Sequence, residues 1–164
     1  MIIIEGPDGS GKSTLKNFLV KLMELEDVSL TKEAPIIERQ KMAMLSPAES
    51  VGLITDRSYF ISELVYSKLL RGFNTPETIW SPLYRKLYWG HLVIICTGHG
   101  QDTRKAYDND EEIWKKTQET KTEAFTMYKR IAEVLKAETY NFQEESTSRI
   151  IEVVQKYLYF WSKA

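Results

Sequence analysis

The stretch that decides the fold of this chain reads Gly6-Pro7-Asp8-Gly9-Ser10-Gly11-Lys12-Ser13-Thr14. It fits the pattern G-x-x-x-x-G-K-S/T, and it lies between a β-branched run, Met1–Glu5, and an amphipathic segment that reaches about Leu25. The glycines allow a tight turn whose successive N–H groups point inward, and the following helix adds its N-terminal partial positive charge. The pattern therefore predicts a triphosphate-binding loop between a buried strand and a helix.

The residue types in this loop suit a bound triphosphate. Lys12 can reach the β- and γ-phosphates, and the Ser13 hydroxyl can ligate Mg²⁺. We therefore expect ATP and Mg²⁺ as cofactors, with the nucleotide held by Gly6, Asp8, Gly9, Ser10, Gly11, Lys12, Ser13 and Thr14. Asp8 is open to two interpretations, because an acidic side chain opposes phosphate. It accepts a hydrogen bond from a ribose hydroxyl of a second substrate, or it only caps the turn.

Short apolar runs alternate with longer helical segments along the rest of the chain. Further strands are predicted at Val28–Lys32, Val51–Thr55, His91–Cys96 and Thr139–Phe142. Helices are predicted at Ile36–Leu45, Ser58–Arg71, from Thr75 toward Trp89 with a break at Ser81-Pro82, from Glu111 to about Leu135, and at Ser148–Ser162. This alternation predicts one α/β domain over residues 1–164, a three-layer fold with a parallel sheet of about five strands flanked by helices. Ligands in such folds sit beyond the carboxyl ends of the strands.

The composition limits the classes of function. The chain has 164 residues and a formal net charge of −1, whereas a protein that grips long nucleic acids usually carries an excess of Lys and Arg. No apolar stretch reaches about 18 residues, so no membrane span is expected. The single cysteine, Cys96, is expected to be buried, and His91 and His99 lack a metal-ligand spacing. Nucleic-acid and membrane partners are therefore not expected, and the cytoplasm is the expected compartment.

A second motif, Asp56-Arg57-Ser58, follows the strand predicted at Val51–Thr55. A carboxylate at the end of a strand parallel to the first would lie near the Mg²⁺ bound by Ser13, so Asp56 is a candidate residue of the metal site. Arg57 would enter the same cleft, where a guanidinium can clamp an acceptor phosphate through paired hydrogen bonds. An exposed ion pair at the strand end is the alternative interpretation.

Together the two motifs resemble those of the thymidylate kinase family and its deoxynucleoside kinase relatives. The segment Glu5–Thr14 looks like the phosphate loop of thymidylate kinases, Asp56–Ser62 is similar to their Asp-Arg-Tyr signature, and Thr31–Pro35 is similar to their Thr-Arg-Glu-Pro segment. The resemblance is strongest to short, virus-encoded members, which implies a bacteriophage protein acting in the host cytoplasm. It also implies the P-loop kinase fold and deoxynucleoside monophosphate kinase activity.

The resemblance implies roles for individual residues. Arg57 would bind the acceptor monophosphate, Asp56 would support the metal and the acceptor, and Asp8 would touch the sugar 3′-hydroxyl. In the family, the segment between the second and third strands carries a base-stacking Phe and a base-reading Arg. Here Glu33 and Arg39 are the candidate substrate contacts in that region.

Two aromatic features suggest further contacts. Tyr66 is a candidate for the floor beneath the deoxyribose, with core packing as the alternative. The segment Tyr157–Trp161 is rich in aromatic residues for a closing helix. Docking on the core is the first interpretation of this segment, and the surface of a homodimer is the second.

A polar, glycine-containing segment at residues 97–110 precedes the long helix predicted from Glu111. Nucleotide kinases close a lid over the phosphates, because water would otherwise accept the phosphoryl group. Arg104 is the candidate catalytic residue of such a lid, since an arginine can stabilise transition-state charge, and Lys105 is adjacent. A solvated polar loop is the alternative.

Four functions fit these patterns. A deoxynucleoside monophosphate kinase accounts best for Arg57 as a phosphate clamp. A nucleoside kinase would need a carboxylate base, which Glu5 or Asp56 could supply. A kinase acting on a hydroxyl of a modified base in DNA fits poorly with a net charge of −1. A nucleotide-binding switch would keep the phosphate loop but would need no acceptor clamp.

Overall fold

A parallel sheet of five strands organises the protein, which a computed structural model describes over residues 1–31, 33–98, 115 and 118–163. The strand order is β2-β3-β1-β4-β5, and every neighbouring pair is parallel. Because β1 lies at the centre, the loop that follows it leaves from the middle of the carboxyl edge. The strands are β1 Ile2–Glu5, β2 Glu26–Asp27, β3 Leu53–Asp56, β4 Leu92–Cys96 and β5 Glu138–Tyr140.

Helices cover both faces of this sheet, which confirms the predicted α/β fold. Each buries an apolar stripe, as Leu15 and Leu19 of the first helix illustrate. A short 3₁₀ turn at Ala48–Ser50 precedes β3. The helices are α1 Lys12–Met23, α2 Ile36–Ala43, α3 Tyr59–Arg71, α4 Glu77–Leu87, α5 Lys121–Leu135 and α6 Ser148–Ser162.

Two apolar cores lie on opposite faces of the sheet. Alternate residues of β1 point to opposite sides, so Ile3 packs with Ile61 and Tyr128, while Ile4 packs with Leu15 and Val154. Burial on both faces is the reason that β1 is apolar throughout its first three residues. Cys96 is buried, as predicted. Within the described part of the chain, no helix is both long and apolar enough to cross a membrane.

The second strand differs from its prediction. It comprises Glu26–Asp27 rather than Val28–Lys32, and Val28 N adds one last hydrogen bond to Ile54 O at 2.9 Å. The carboxylate of Asp27 then accepts a hydrogen bond from Ser29 N at 2.9 Å. This local turn competes with the hydrogen bonds between β2 and β3 and carries the chain away from the sheet. The β-branched Val28 favours a strand and gives no sign of the turn.

Other elements also differ from their predictions. The predicted break at Ser81-Pro82 is wrong, because α4 runs through Pro82. Trp80 and Tyr84 are buried on one face of α4 with ring centroids 5.8 Å apart, and this packing holds the turns on either side of the proline. The fifth strand ends at Tyr140, so Phe142 lies in the following loop. The helix start expected at Glu111 lies outside the described residues.

Candidate active site

The phosphate loop joins β1 to α1 at the centre of the carboxyl edge. Gly6 has a φ of +143°, and any Cβ there would overlap the carbonyl oxygen of Cys96 on β4. Gly11 has a φ of +88° and caps the N-terminus of α1. These two positions require glycine, the first for close approach and the second for its left-handed backbone. The loop thus has the form that the sequence predicts for a phosphate cradle.

Lys12 crosses this loop. Its ammonium donates a hydrogen bond to Pro7 O at 2.7 Å and lies 3.9 Å from Asp8 Oδ1. The side chain is 7% exposed, and burial lowers the pKa of Lys12 to about 8. Ser10 Oγ is also buried and has no hydrogen-bond partner among the described residues. The loop therefore presents a buried cation and an unused hydroxyl, both of which suit an anionic ligand.

Ser13 and Asp56 meet beside the loop. Ser13 Oγ donates a hydrogen bond to Asp56 Oδ2 at 2.6 Å, while Asp56 Oδ1 is buried without a partner in the described part of the chain. Mg²⁺ is commonly held by one or two carboxylates together with water and substrate phosphates. The described residues contain no group of three or more His, Cys, Asp or Glu that could hold a metal alone. The Ser13 hydroxyl and the unpartnered Asp56 oxygen therefore fit a Mg²⁺ ion whose remaining ligands would be phosphate oxygens and water.

Arg57 is held in an unusual backbone conformation. Its φ is +79°, and its N–H donates to Ile4 O of β1 at 2.9 Å. This left-handed geometry is strained for a residue with a side chain, and such strain is common at functional sites. Its guanidinium forms an ion pair with Asp8 and lies 5.3 Å from the ring centroid of Tyr66. The backbone thus directs Arg57 toward the phosphate loop, where the sequence-predicted residues Asp8, Arg57 and Tyr66 come together.

A cavity of about 200 Å³ opens beside Arg57, between the carboxyl end of β3 and helices α2 and α3. Arg39 and Tyr66 line it, and the Nε atom of Arg39 and the hydroxyl of Tyr66 are buried without hydrogen-bond partners among the described residues. The Arg39 guanidinium lies 5.7 Å from the ring centroid of Tyr59, which also lines the cavity. Unpaired buried polar atoms are costly, so these groups are suited to a polar ligand.

Glu5, at the end of β1, is fully buried. Its Oε1 accepts hydrogen bonds from Ser58 N at 2.6 Å and Ser62 Oγ at 3.2 Å, and its Oε2 accepts one from Tyr128 OH at 3.2 Å. Burial raises the pKa of Glu5 despite the opposing charge of Arg57. This carboxyl joins β1 to α3 and α5, and it does not line the cavity.

Three other predicted site residues lie away from the cavity or outside the described residues. Glu33 is exposed in the turn before α2 and does not line the cavity. Thr14 is exposed on the first turn of α1. Arg104 and most of the lid predicted at residues 97–110 lie outside the described residues. The roles of these three residues, like those of the other site residues, stay predictions.

The structure also shows a hydrogen-bond network that the sequence analysis missed. Lys16 of α1 donates to Asp27 Oδ2 at 2.6 Å and to Ser29 Oγ at 3.1 Å, and Ser29 Oγ accepts the backbone N–H of Asp56 at 2.8 Å. The network fixes the strand end that carries Asp56. A signal was present, because Lys16 occupies the buried face of α1 beside Leu15 and Leu19. A charge on an apolar helix face implies a buried partner.

Replacing Lys16 with methionine removes a charged hydrogen-bond donor from Asp27. Because Asp27 is one-third exposed, the expected decrease in the free energy of unfolding is only about 1–2 kcal/mol. Burial raises the pKa of Asp27, but hydrogen bonds from Lys16 and Ser29 outweigh it and hold that pKa below its ordinary value. The stabilisation is therefore present above the unfolded-state pKa of about 3.9 and is lost as the pH falls below it. Urea denaturation at pH 7 and pH 3 measures both effects. Lys21→Met, at an exposed position of α1, is the matched control, and an equal loss there would contradict the prediction.

The comparisons with known proteins concern the fold. No family model and no curated protein match this chain. Among the solved structures that it resembles is the YorR protein of Bacillus subtilis in complex with phosphorylated GDP. The two chains are 17% identical with a TM-score of 0.58, and the alignment covers 97% of this chain and 94% of YorR. The likeness establishes a shared fold over nearly the whole length of both chains.

Proposed function

We propose that this protein is an ATP- and Mg²⁺-dependent kinase that phosphorylates a deoxynucleoside monophosphate. The observation that carries the proposal is the position of Arg57, whose guanidinium joins Asp8 of the phosphate loop to Tyr66 of the cavity. A cation between a donor site and an acceptor pocket is where the acceptor phosphate of a nucleotide kinase must be bound. The YorR structure, which contains phosphorylated GDP, supports a nucleotide ligand for this fold.

On the donor side, the phosphate loop would bind the triphosphate of ATP. Lys12 supplies a buried positive charge, and the N-terminus of α1 supplies backbone donors. Ser13 and Asp56 would hold Mg²⁺, which when bound neutralises charge on the β- and γ-phosphates. Arg104 is proposed to add a further positive charge from a lid.

On the acceptor side, the monophosphate would replace Asp8 as the partner of Arg57. The carboxylate of Asp8 would then accept the sugar hydroxyl, as the family resemblance implies. Arg39 and Tyr66 offer unpaired polar atoms for the nucleoside, and Glu33 is a further proposed contact. This arrangement favours a monophosphate over a nucleoside acceptor. Of the two candidate bases for a nucleoside, Glu5 already accepts three hydrogen bonds and does not line the cavity, and Asp56, which does line it, would be engaged with Mg²⁺.

An assay of ADP release tests this function. The protein would be mixed with ATP and Mg²⁺ and with each deoxynucleoside monophosphate, each deoxynucleoside and duplex DNA in turn. We expect turnover with at least one deoxynucleoside monophosphate and little turnover with the deoxynucleosides or with duplex DNA. Turnover only with a nucleoside or with DNA would contradict the proposed acceptor, and absence of transfer despite ATP binding would favour a nucleotide-binding switch. Sedimentation of the same sample tests whether the chain forms a homodimer, the second interpretation of the aromatic segment Tyr157–Trp161.

The affinity for ATP with Mg²⁺ is expected to depend on the charge of Lys12. Burial lowers the pKa of Lys12 to about 8, and a bound triphosphate would raise it again. Affinity should therefore be highest below pH 8 and should fall by up to about tenfold per pH unit above it. Calorimetric titrations from pH 6.5 to 9.5 measure this dependence. Lys12→Arg is the control, because arginine stays charged throughout this range, and an identical pH profile in that variant would rule out Lys12 as the cause.

A further inference from the structure

Three hydrogen bonds fix the backbone on both sides of the Arg57 Cα. On the N-terminal side, Arg57 N donates to Ile4 O at 2.9 Å. On the C-terminal side, Arg57 O accepts from Thr55 Oγ1 at 3.2 Å, and Ser58 N of the same peptide group donates to Glu5 Oε1 at 2.6 Å. Peptide groups are planar, so the orientations of these two groups define φ and ψ between them. The left-handed φ of +79° is therefore held from both sides.

The carboxyl of Glu5 is itself held in place by two helices. Its Oε1 also accepts a hydrogen bond from Ser62 Oγ of α3, and its Oε2 accepts one from Tyr128 OH of α5, both at 3.2 Å. With both oxygens engaged, the carboxyl cannot rotate without breaking a hydrogen bond. Its complete burial also keeps water from taking the place of a lost partner. Glu5 is thus a rigid acceptor for Ser58 N.

The backbone of Arg57 decides where its side chain points. From the left-handed conformation, the guanidinium pairs with Asp8 and lies 5.3 Å from the ring centroid of Tyr66. Residues with a side chain prefer right-handed or extended backbone conformations. If the peptide group after Arg57 were released, the residue would relax toward them, and the guanidinium would move away from the acceptor cavity. The hydrogen bond from Ser58 N to Glu5 opposes this relaxation.

We infer that Glu5 is a positioning residue that holds the backbone of Arg57 left-handed and thereby directs its guanidinium at the acceptor phosphate. The inference rests on the proposed function, and it adds a residue that does not line the cavity and acts through Arg57. A preorganised cation binds its ligand more tightly, because less conformational freedom is lost on binding. The hydrogen bonds of Glu5 go to α3, its cap and α5, so its loss should affect the acceptor more than ATP.

Substitution of Glu5 by methionine tests this difference between the substrates. Glu5→Met keeps the length of the side chain but removes its acceptor oxygens, which leaves the buried Ser58 N–H unpaired. The Michaelis constant for the monophosphate is expected to rise by about 5- to 150-fold, the range for one buried donor without a partner, while that for ATP stays within about twofold. Glu133→Gln, at an exposed glutamate of α5, is the matched control and should change neither constant.

A milder variant keeps the test valid if Glu5→Met does not fold. Glu5→Gln retains one acceptor oxygen for Ser58 N, so its acceptor constant should rise by less than about fivefold, again with little change for ATP. In either variant, equal rises in both Michaelis constants would overturn the inference, because Glu5 would then support the whole site or the fold.

A double-variant comparison shows whether Glu5 acts through Arg57. Once Arg57 is replaced by alanine, no guanidinium remains to be directed. Adding Glu5→Met or Glu5→Gln to Arg57→Ala should therefore raise the acceptor constant no further. A further rise equal to that seen in the single variant would overturn the inference, because the two residues would then act independently.

Hydrogen exchange of the Ser58 amide, followed by NMR, tests the positioning without any substrate. The wild type should protect this amide, and the protection should fall in Glu5→Gln and fall further in Glu5→Met, while the amide of Ile150 in α6 keeps its protection. Unchanged exchange at Ser58 in both variants would overturn the inference. If exchange changes as expected but the wild type phosphorylates no monophosphate, the proposed function fails, whereas the hold of Glu5 on Arg57 is confirmed.

Discussion

Lys12→Ala is expected to abolish phosphate transfer while the fold remains intact. The ammonium of Lys12 is the buried positive charge of the phosphate loop, and it would meet the charge that develops on the transferred phosphoryl group. Loss of one such donor in a closed site lowers turnover by about 10²–10³-fold, and loss of a full charge should exceed that range. Single-turnover rates with saturating ATP and acceptor measure the effect.

The fold should tolerate this change because Lys12 makes few structural contacts. Its hydrogen bond to Pro7 O is replaceable by water, and burial of its charge is unfavourable in the free protein, as the lowered pKa indicates. Urea denaturation and circular dichroism of the variant serve as controls. Turnover near that of the wild type would refute the assignment of the phosphate loop.

Arg57→Ala is expected to raise the Michaelis constant for the monophosphate far more than that for ATP. Removal of one partner from a desolvated charge pair costs about 2–5 kcal/mol, and each 1.4 kcal/mol is about a factor of ten in affinity. The carboxylate of Asp8 would add to the loss, because the variant lacks the guanidinium that pairs with Asp8 in the wild type and the acceptor phosphate carries the same sign of charge. Steady-state kinetics with each substrate varied in turn measure the two constants.

Two further variants make this prediction specific. Arg57→Lys keeps the charge but loses the planar fork, so it should recover only part of the acceptor affinity. Arg130→Ala removes an exposed arginine that pairs with Glu77 at the surface, and it should leave both constants unchanged. Equal effects of Arg57→Ala on ATP and on the monophosphate would mean that Arg57 serves the donor site or the fold.

Much of the fold could be predicted because its signals are local. A β-branched run followed by the glycine-rich loop predicts a strand, a turn and a helix within residues 1–23, and all three are found there. The closing helix at Ser148–Ser162 also agrees with its prediction, since its apolar spacing is regular. The bounds of the second strand were harder to predict, because the turn formed by Asp27 and Ser29 depends on a side-chain hydrogen bond that competes with strand pairing.

The candidate site was only partly predictable. The positions of Asp56 and Arg57 at a strand end followed from the sequence, because parallel strands share one carboxyl edge. The left-handed backbone of Arg57 could not be predicted, since nothing in its side chain favours that conformation. Contacts with other residues hold it: Arg57 N donates to Ile4 O, and Arg57 O accepts a hydrogen bond from Thr55 Oγ1. Its pairing with Asp8 follows from that backbone conformation.

The sequence by itself determined the elements whose residues are neighbours in the chain: the phosphate loop, the order of strands and helices, and the pair Asp56-Arg57. Only the tertiary structure decided which distant residues meet. It placed Asp8 against Arg57, Lys16 beneath the strand that carries Asp56, and Phe142 against two glycines from other segments. The physical reason is that local spacing determines the direction of a side chain within one element, whereas contacts between elements depend on how the whole sheet and its helices pack.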